Sequence, residues 1–320
     1  MKRMIRVAIA ALAVLASVSA VAQTFPTRPI TLVAPFPPGG STDVLARLLA
    51  SRLEARLGQT VVIDNKPGAN GAIGAAAVTR AAPDGYTILV MGASSFTINP
   101  LLYKTINYDP LNSFEYLGVA GGTQLVILTN PGTRIGSVAD IVSQSKTESL
   151  SYGSFGSGSL PHIAGESLAQ KTGANLMHVP YKGSAPALMD LIGNRIPLSI
   201  ETLVAAMPQI QGGKVKPVAV LGAKRSDKLP NIPTVQESGV AGFDFETWFG
   251  FVAPKGTPQD VTARLSEAIR DMMADPATRM ALDSAGFDAR YLSPIAFRDQ
   301  VERELQRNMA VIAAAQIRMD

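Results

Sequence analysis

The sequence predicts an α/β fold in which parallel-rich sheets are flanked by helices and divided between two lobes joined by crossing strands. Three observations point there. Short β-branched runs alternate with stretches whose apolar residues recur at helical spacing. The alternation restarts partway along the chain. No Pro- or Ser-rich linker separates the two blocks, although 320 residues is long enough to divide into two domains.

Taken in order, residues 30–34 read as a buried strand. After a Pro/Gly turn, Val44, Leu45, Leu48, Leu49, Leu53 and Leu57 share one helical face, and Arg47, Arg52, Glu54 and Arg56 occupy the other. Gly58 supplies the C-terminal stop. A strand at 61–63, a small-residue helix at 69–82 and a strand at 87–91 follow. Strand–helix–strand alternation favours parallel pairing. The pattern resumes with a strand at 124–129, a helix near 138–145, a strand at 150–154 and a helix at 162–171. Strands at 177–179, 197–200 and 217–221 come next, separated by helices at 185–192 and 203–211. A final strand at 249–253 precedes two or three amphipathic helices. Crossings between lobes are expected near Gly121-Gly122 and Glu246-Thr247. Residues 23–121 plus 247–320 then form one lobe, and 122–246 are inserted as the other. No period of 20–50 residues repeats, which excludes a solenoid.

The first residues indicate export. Lys2, Arg3 and Arg6 precede an uncharged apolar run over 7–18, and Ser19-Ala20-Val21-Ala22 forms an A-x-A cleavage pattern. Cleavage after Ala22 is expected; the apolar run is short of the ~20 residues that span a membrane, and an uncleaved anchor helix is the alternative. With no cysteine at the cleavage point, a lipid anchor is not expected. Three of the 29 basic residues and none of the 25 acidic ones lie in this leader, so the mature chain carries 26 against 25. That balance, with no basic stripe, gives no support to nucleic-acid or anionic-membrane binding. The absence of cysteine means that stability must come from a core rather than disulfides.

Two junctions stand out chemically. Pro35-Phe36-Pro37-Pro38-Gly39-Gly40-Ser41-Thr42-Asp43 lies between a strand and a helix, where parallel sheets place ligands. The prolines stiffen the approach, the glycines admit a ligand close to the backbone, and Ser41, Thr42 or Asp43 can cap the helix. Free N–H groups and the helix dipole there favour an anion; an ordinary tight turn has the same composition. Ser154-Phe155-Gly156-Ser157-Gly158-Ser159-Leu160-Pro161-His162 repeats the arrangement, with Pro161 suited to a first helical turn. One such loop in each lobe could face a shared cleft. By contrast, Gly68-Ala69-Asn70-Gly71-Ala72-Ile73-Gly74 has GxxGxxG spacing and lacks the acidic residue of a dinucleotide site, so close helix packing accounts for it better and no cofactor is expected. Catalytic groupings are thin. The two histidines, His162 and His178, form no metal spacing, and a Ser157–His162 dyad lacks an orienting acid nearby in sequence. The balance favours a binding protein with no catalytic or metal site; a carboxyl-ester hydrolase using Ser157 or Ser159 with His162 is the alternative.

An ordered set of segments closely resembles the solute-binding proteins of tripartite tricarboxylate transporters, the Bug-type (Bordetella uptake) family. It comprises PFPPGGSTD at 35–43, VVIDNKPGANGAIGAAAV at 61–78, APDGYTIL at 82–89, INPLLY at 98–103 and YGSFGSGSLPHIAGE at 152–166. HVPYKGSAPALMDLIGN at 178–194, AKRSDKLPNIPTVQESG at 223–239 and WFGFVAPKGTP at 248–258 complete it. The resemblance implies a two-lobed periplasmic binding protein of type II-like architecture that closes on a small carboxylate, such as a dicarboxylic, aromatic or hydroxy acid. It implies a monomer that passes its ligand transiently to membrane transporter subunits; a binding protein serving a sensor would look the same. Main-chain groups at Phe36, Pro38, Gly39 and Gly40 are expected to hold a carboxylate. Gly156, Ser157, Gly158 and Ser159 are expected to contribute from the second lobe, with Phe155 and Tyr181 beside them, and Ser94, Ser95 and Phe96 are expected to face the cleft. Two departures from the family pattern bear on the ligand. Phe96-Thr97 stand where family members often carry a histidine, which suggests a ring or alkyl body. Glu201 stands where an aspartate is common; a carboxylate there would repel a second ligand carboxylate unless it accepts a hydrogen bond from a hydroxyl, ammonium or protonated acid, which points to a ligand with one carboxylate plus a donor or apolar part.

Overall fold

The computed structural model of the chain describes residues 25–103 and 105–315, and the expected leader at 1–22 lies outside them. The first strand, β1 (Ile30–Ala34), leads through the Pro/Gly junction into α1 (Ser41–Leu57), which Gly58 ends in the left-handed conformation at φ 70°. β2 (Val61–Asn65), α2 (Ala72–Thr79) and β3 (Thr87–Gly92) follow. Two short helices, α3 (Ala93–Thr97) and α4 (Asn99–Leu102), stand where the sequence reads as loop. β4 (Phe114–Thr129) is 16 residues long, starting ten residues before the expected strand. Then come α5 (Val138–Gln144), β5 (Leu150–Ser154), α6 (Leu160–Thr172), β6 (Leu176–Pro180), α7 (Ser184–Ile192), β7 (Leu198–Thr202), α8 (Leu203–Gln211) and β8 (Lys216–Val220). β9 (Glu246–Pro254), α9 (Gln259–Ala274), α10 (Pro276–Ser284), β10 (Asp288–Leu292) and α11 (Pro294–Ala315) complete the chain.

The strands join in the order β2-β1-β3-β9-β4-β7-β5-β6, with β8 and β10 also paired to β4. Parallel pairing occupies the two ends, β1 with β2 and β3, and β5 with β6 and β7. The middle is antiparallel and is built on β4. Its first part pairs β9 as far as Gln124↔Glu246, and its last part pairs β7 from Leu125↔Thr202 onward. One strand therefore runs from one half of the molecule into the other. The register of β4 against β9 shifts after Tyr116 and after Val119, at Gly118 (φ 145°) and Gly121 (φ 112°). Such φ values suit only glycine, and bulges of this kind bend a strand and increase its twist. That curls the sheet between the two halves.

Strand alternation serves helices on both faces. Along β9, Phe249, Phe251 and Ala253 pack with Leu45, Leu49, Leu265 and Ile269, while Trp248 and Val252 pack with Phe114 and Phe297 on the other side. Along β4, Leu125 and Ile127 join one core and Val126 and Leu128 another. Among the described residues, no helix is long and apolar enough to cross a membrane.

Candidate ligand-binding site

A cavity opens between the two halves at the ends of their strands, the position where α/β sheets bind ligands. Its empty volume, open mouth included, is about 480 Å³. Phe36, Pro37, Pro38, Gly40, Ser41 and Thr42 line it from the β1–α1 junction, Gly92 and Ser94 from the end of β3, and Thr247 and Phe249 from β9. The opposite half contributes Phe155, then Gly183, Ser184 and Ala185 at the start of α7, and Thr202 at the end of β7. No Lys, Arg, His, Asp or Glu is among these residues.

The β1–α1 junction is held from within. Asp43, buried in the first turn of α1, accepts from the Gly39 N–H at 3.0 Å and from Arg47 Nε at 2.9 Å on one oxygen, and from Asn65 Nδ2 at 3.0 Å on the other. Asn65 Nδ2 also donates to the Phe36 carbonyl. Burial pushes the Asp43 carboxyl up, but the bonds from Arg47, Gly39 and Asn65 outweigh it and keep the group below the ordinary carboxylate range. Gly39, expected among the ligand-holding positions, thus has its amide engaged by Asp43, and it does not line the cavity. The amides of Ser41 and Thr42 belong to the first turn of a 17-residue helix, where no intrahelical acceptor exists and the dipole is positive.

The Gly156–Ser159 loop braces the cleft rather than lining it. The Gly158 N–H donates to His162 Nδ1 at 3.0 Å, and the Gly156 N–H to Ser154 Oγ at 3.2 Å. Ser154 Oγ lies 2.6 Å from His178 Nε2, and the imidazoles of His162 and His178 stack 3.9 Å apart. Burial lowers the pKa of both rings, His178 to about 3 with His162 adding to the shift, so the pair is neutral at pH 7. Ser159 is fully buried, with its hydroxyl directed to Ser154. From the first half, Tyr103 Oη donates to the Ser157 carbonyl at 2.8 Å and Asn70 Nδ2 to the Gly158 carbonyl at 3.1 Å. Phe155 alone of this stretch reaches the cavity, edge to face with Phe36 across the cleft at 6.0 Å.

Four expected cleft residues are placed elsewhere. Phe96 has no exposed surface; it stacks on Trp248 at 5.6 Å and meets Phe297 edge-on at 5.3 Å. Ser95 donates to the Asn70 carbonyl at 2.8 Å and is likewise buried. Both outcomes follow from α3: a helix turns about 100° per residue, so when Ser94 faces the cavity its two successors face the core. Tyr181 donates to Asp190 of α7 at 2.8 Å and does not line the cavity. Glu201 is fully buried behind the wall: Oε1 accepts from Ser199 Oγ at 3.0 Å, and Oε2 has no hydrogen-bond partner. Burial pushes its carboxyl up to about 8, against the opposing pull of the nearby Ser184 and Ser199 hydroxyls. At neutral pH it is a protonated acid, not the charge expected to repel a second carboxylate.

Pro37, Thr42, Gly92, Gly183–Ala185, Thr202, Thr247 and Phe249 line the cavity without having been expected as ligand-binding residues. Gly183 carried the available signal. It is a third strand–Gly–Ser–helix junction, with φ 122° and the Pro37 ring only 3.1 Å from where a Cβ would stand.

A curled mixed α/β sheet whose strands cross between two halves, with a cavity at the strand ends, defines a solute-binding protein. An R. palustris protein solved with adipate superposes with a TM-score of 0.89 at 36% identity, covering 92% of this chain and 99% of that one. MatC from Rhodopseudomonas palustris, solved with bound malate, gives 0.85 at 28% identity over 90% of this chain and 100% of its own. Protein BugT of Bordetella pertussis is 35% identical over 294 residues, 91% of this chain and 90% of BugT. Residues 45–317 match the tripartite tricarboxylate transporter family receptor, TctC, and the chain belongs to that family.

Proposed function

We propose that this chain, exported by a leader cut after Ala22, binds a small carboxylate in the periplasm and delivers it to a tripartite membrane transporter without altering it. The observation that carries this reading is a cavity walled by both halves, lined by hydroxyls and first-turn amides and by no charged side chain. The carboxylate sits at the N-terminus of α1, against the Ser41 and Thr42 amides, with Ser94, Ser184, Thr202 and Thr247 offering hydroxyls around it. Neutral donors hold an anion without a strong ion pair, which suits a protein that must release its cargo. The two bodies, 23–121 plus 247–320 and 122–246, close about the crossing strands near Gly121 and Glu246. A ligand touching both walls binds the closed form better and shifts the population toward it.

The hydrolase alternative finds little support. Ser159 is buried and His162 Nδ1 accepts from the Gly158 N–H, although Glu166, an acid not expected near this ring, lies 3.8 Å from His162 Nε2. Among the described residues, the close Ser–His pair is Ser154 with His178, and its serine is buried. Among the described residues, no group of three or more His, Cys, Asp or Glu could hold a metal.

A thermal-shift panel of mono-, di- and tricarboxylates beside their neutral amides tests the proposal. An acid present at a hundred times its Kd adds about 2.7 kcal/mol, which raises the melting temperature by roughly 5–10 °C. The proposal requires this for at least one acid and not for its amide. Stabilisation by sugars, amines or amides with none by any acid overturns it.

A further inference from the structure

The cavity wall also bears on the ligand's body. Phe36, Phe155 and Phe249 present three rings to a small space, and Pro37 adds apolar surface beside them. Phe36 and Phe155 come from opposite halves and already meet edge to face, at 83° between planes. Phe249 reaches the cavity beside Gly92, where a Cβ would come within 3.4 Å of its ring. Gly183, which precedes α7, packs against Pro37 in the loop that leads into α1. Both helix starts, α1 and α7, line this one cavity. Arg47 lies near the first of them, but its guanidinium is committed to Asp43 and Asn65. An unpaired second carboxylate among the phenyl rings would be desolvated without a cation, whereas a ligand ring there extends the edge-to-face packing.

Building on carboxylate capture at this cavity, we propose that the site selects acids with one carboxylate and an aromatic body, and that Phe155 and Phe249 are the residues that determine this specificity. The carboxylate takes the helix starts, and the ring lies against Phe155 and Phe249. Closure of the two halves brings Phe155 onto the ligand, so the preference is expressed in the closed form.

Calorimetry with benzoate, 3-phenylpropionate, adipate and malate tests this. At least one aromatic acid is expected to bind ~10-fold or more tightly than either aliphatic diacid. Phe155→Leu, which keeps apolar volume on a half-buried loop but removes the ring, is expected to cut the preference for that aromatic acid over adipate by ~10-fold. Adipate or malate binding as tightly as both aromatic acids overturns the specificity and leaves carboxylate capture standing. An unchanged preference in Phe155→Leu overturns the role given to that ring. Binding of none of the four overturns this proposal, and the acid panel above then decides whether carboxylate capture survives it.

Discussion

Replacing Phe96 with alanine is expected to lower the free energy of unfolding by ~3–5 kcal/mol, the usual cost of deleting a buried aromatic side chain. Phe96 has no exposed surface and is the hub of an aromatic cluster: Trp248 stacks on it, Phe297 and Phe114 meet it edge-on, and Tyr116 lies 6.4 Å away. These partners come from β4, β9 and α11. Losing the ring therefore loosens the packing of the C-terminal helix on the sheet as well as leaving a cavity. Denaturant unfolding measures the loss directly. The affinity of the variant for its tightest acid, measured well below its melting temperature, is expected to stay within about twofold, since packing changes away from a site act weakly on it. Unchanged stability with an altered order of preferred acids would place the ring in the cleft instead.

Glu201→Gln is expected to change the pH dependence of stability. In the folded chain, burial holds the carboxyl up to about 8, against its ordinary 4.5. As pH rises above 4.5, the unfolded chain gives up this proton and the folded chain keeps it, so folding is progressively disfavoured. The loss levels off near pH 8, where the folded carboxyl ionises too. At ~1.4 kcal/mol per unit, the window amounts to about 5 kcal/mol. The glutamine variant lacks this slope. Its melting temperature minus that of the wild type is expected to grow steadily from pH 5 to pH 8 and then flatten. Parallel pH curves for the two proteins would show that Glu201 titrates normally.

Much of this architecture was legible in the sequence. β1, β5 and α8 have the expected boundaries, because each has a clear apolar period and a definite stop. The first part of β4 was not legible. Glycine weakens a strand pattern, yet Gly118 and Gly121 form the bulges that let the strand bend and continue. α3 and α4 were hidden by Ser, Thr and Pro, residues more common in loops, and with them the reason why Ser94 and Phe96 face opposite ways.

The same contrast holds in the cleft. Phe36, Pro38, Gly40 and Ser41, expected from the 35–43 junction and the family resemblance, line the cavity, whereas Gly39 does not. The Gly156–Ser159 loop has nearly the same composition, but its amides are taken by Ser154 and His162, partners that only the pairing of β5 with β6 and the first turn of α6 bring near. Thr247 and Phe249 became cavity residues through the antiparallel pairing of β9 with β3, a long-range choice that no local pattern encodes.

The structure of the chain in complex with its tightest-binding acid tests the account most directly. The ligand carboxylate is expected within hydrogen-bonding distance of the Ser41 and Thr42 amides, with a hydroxyl from the opposite half, Ser184 or Thr202, completing its contacts and no lysine or arginine touching it. A carboxylate paired with a cationic side chain, or held by residues of one half alone, would contradict it.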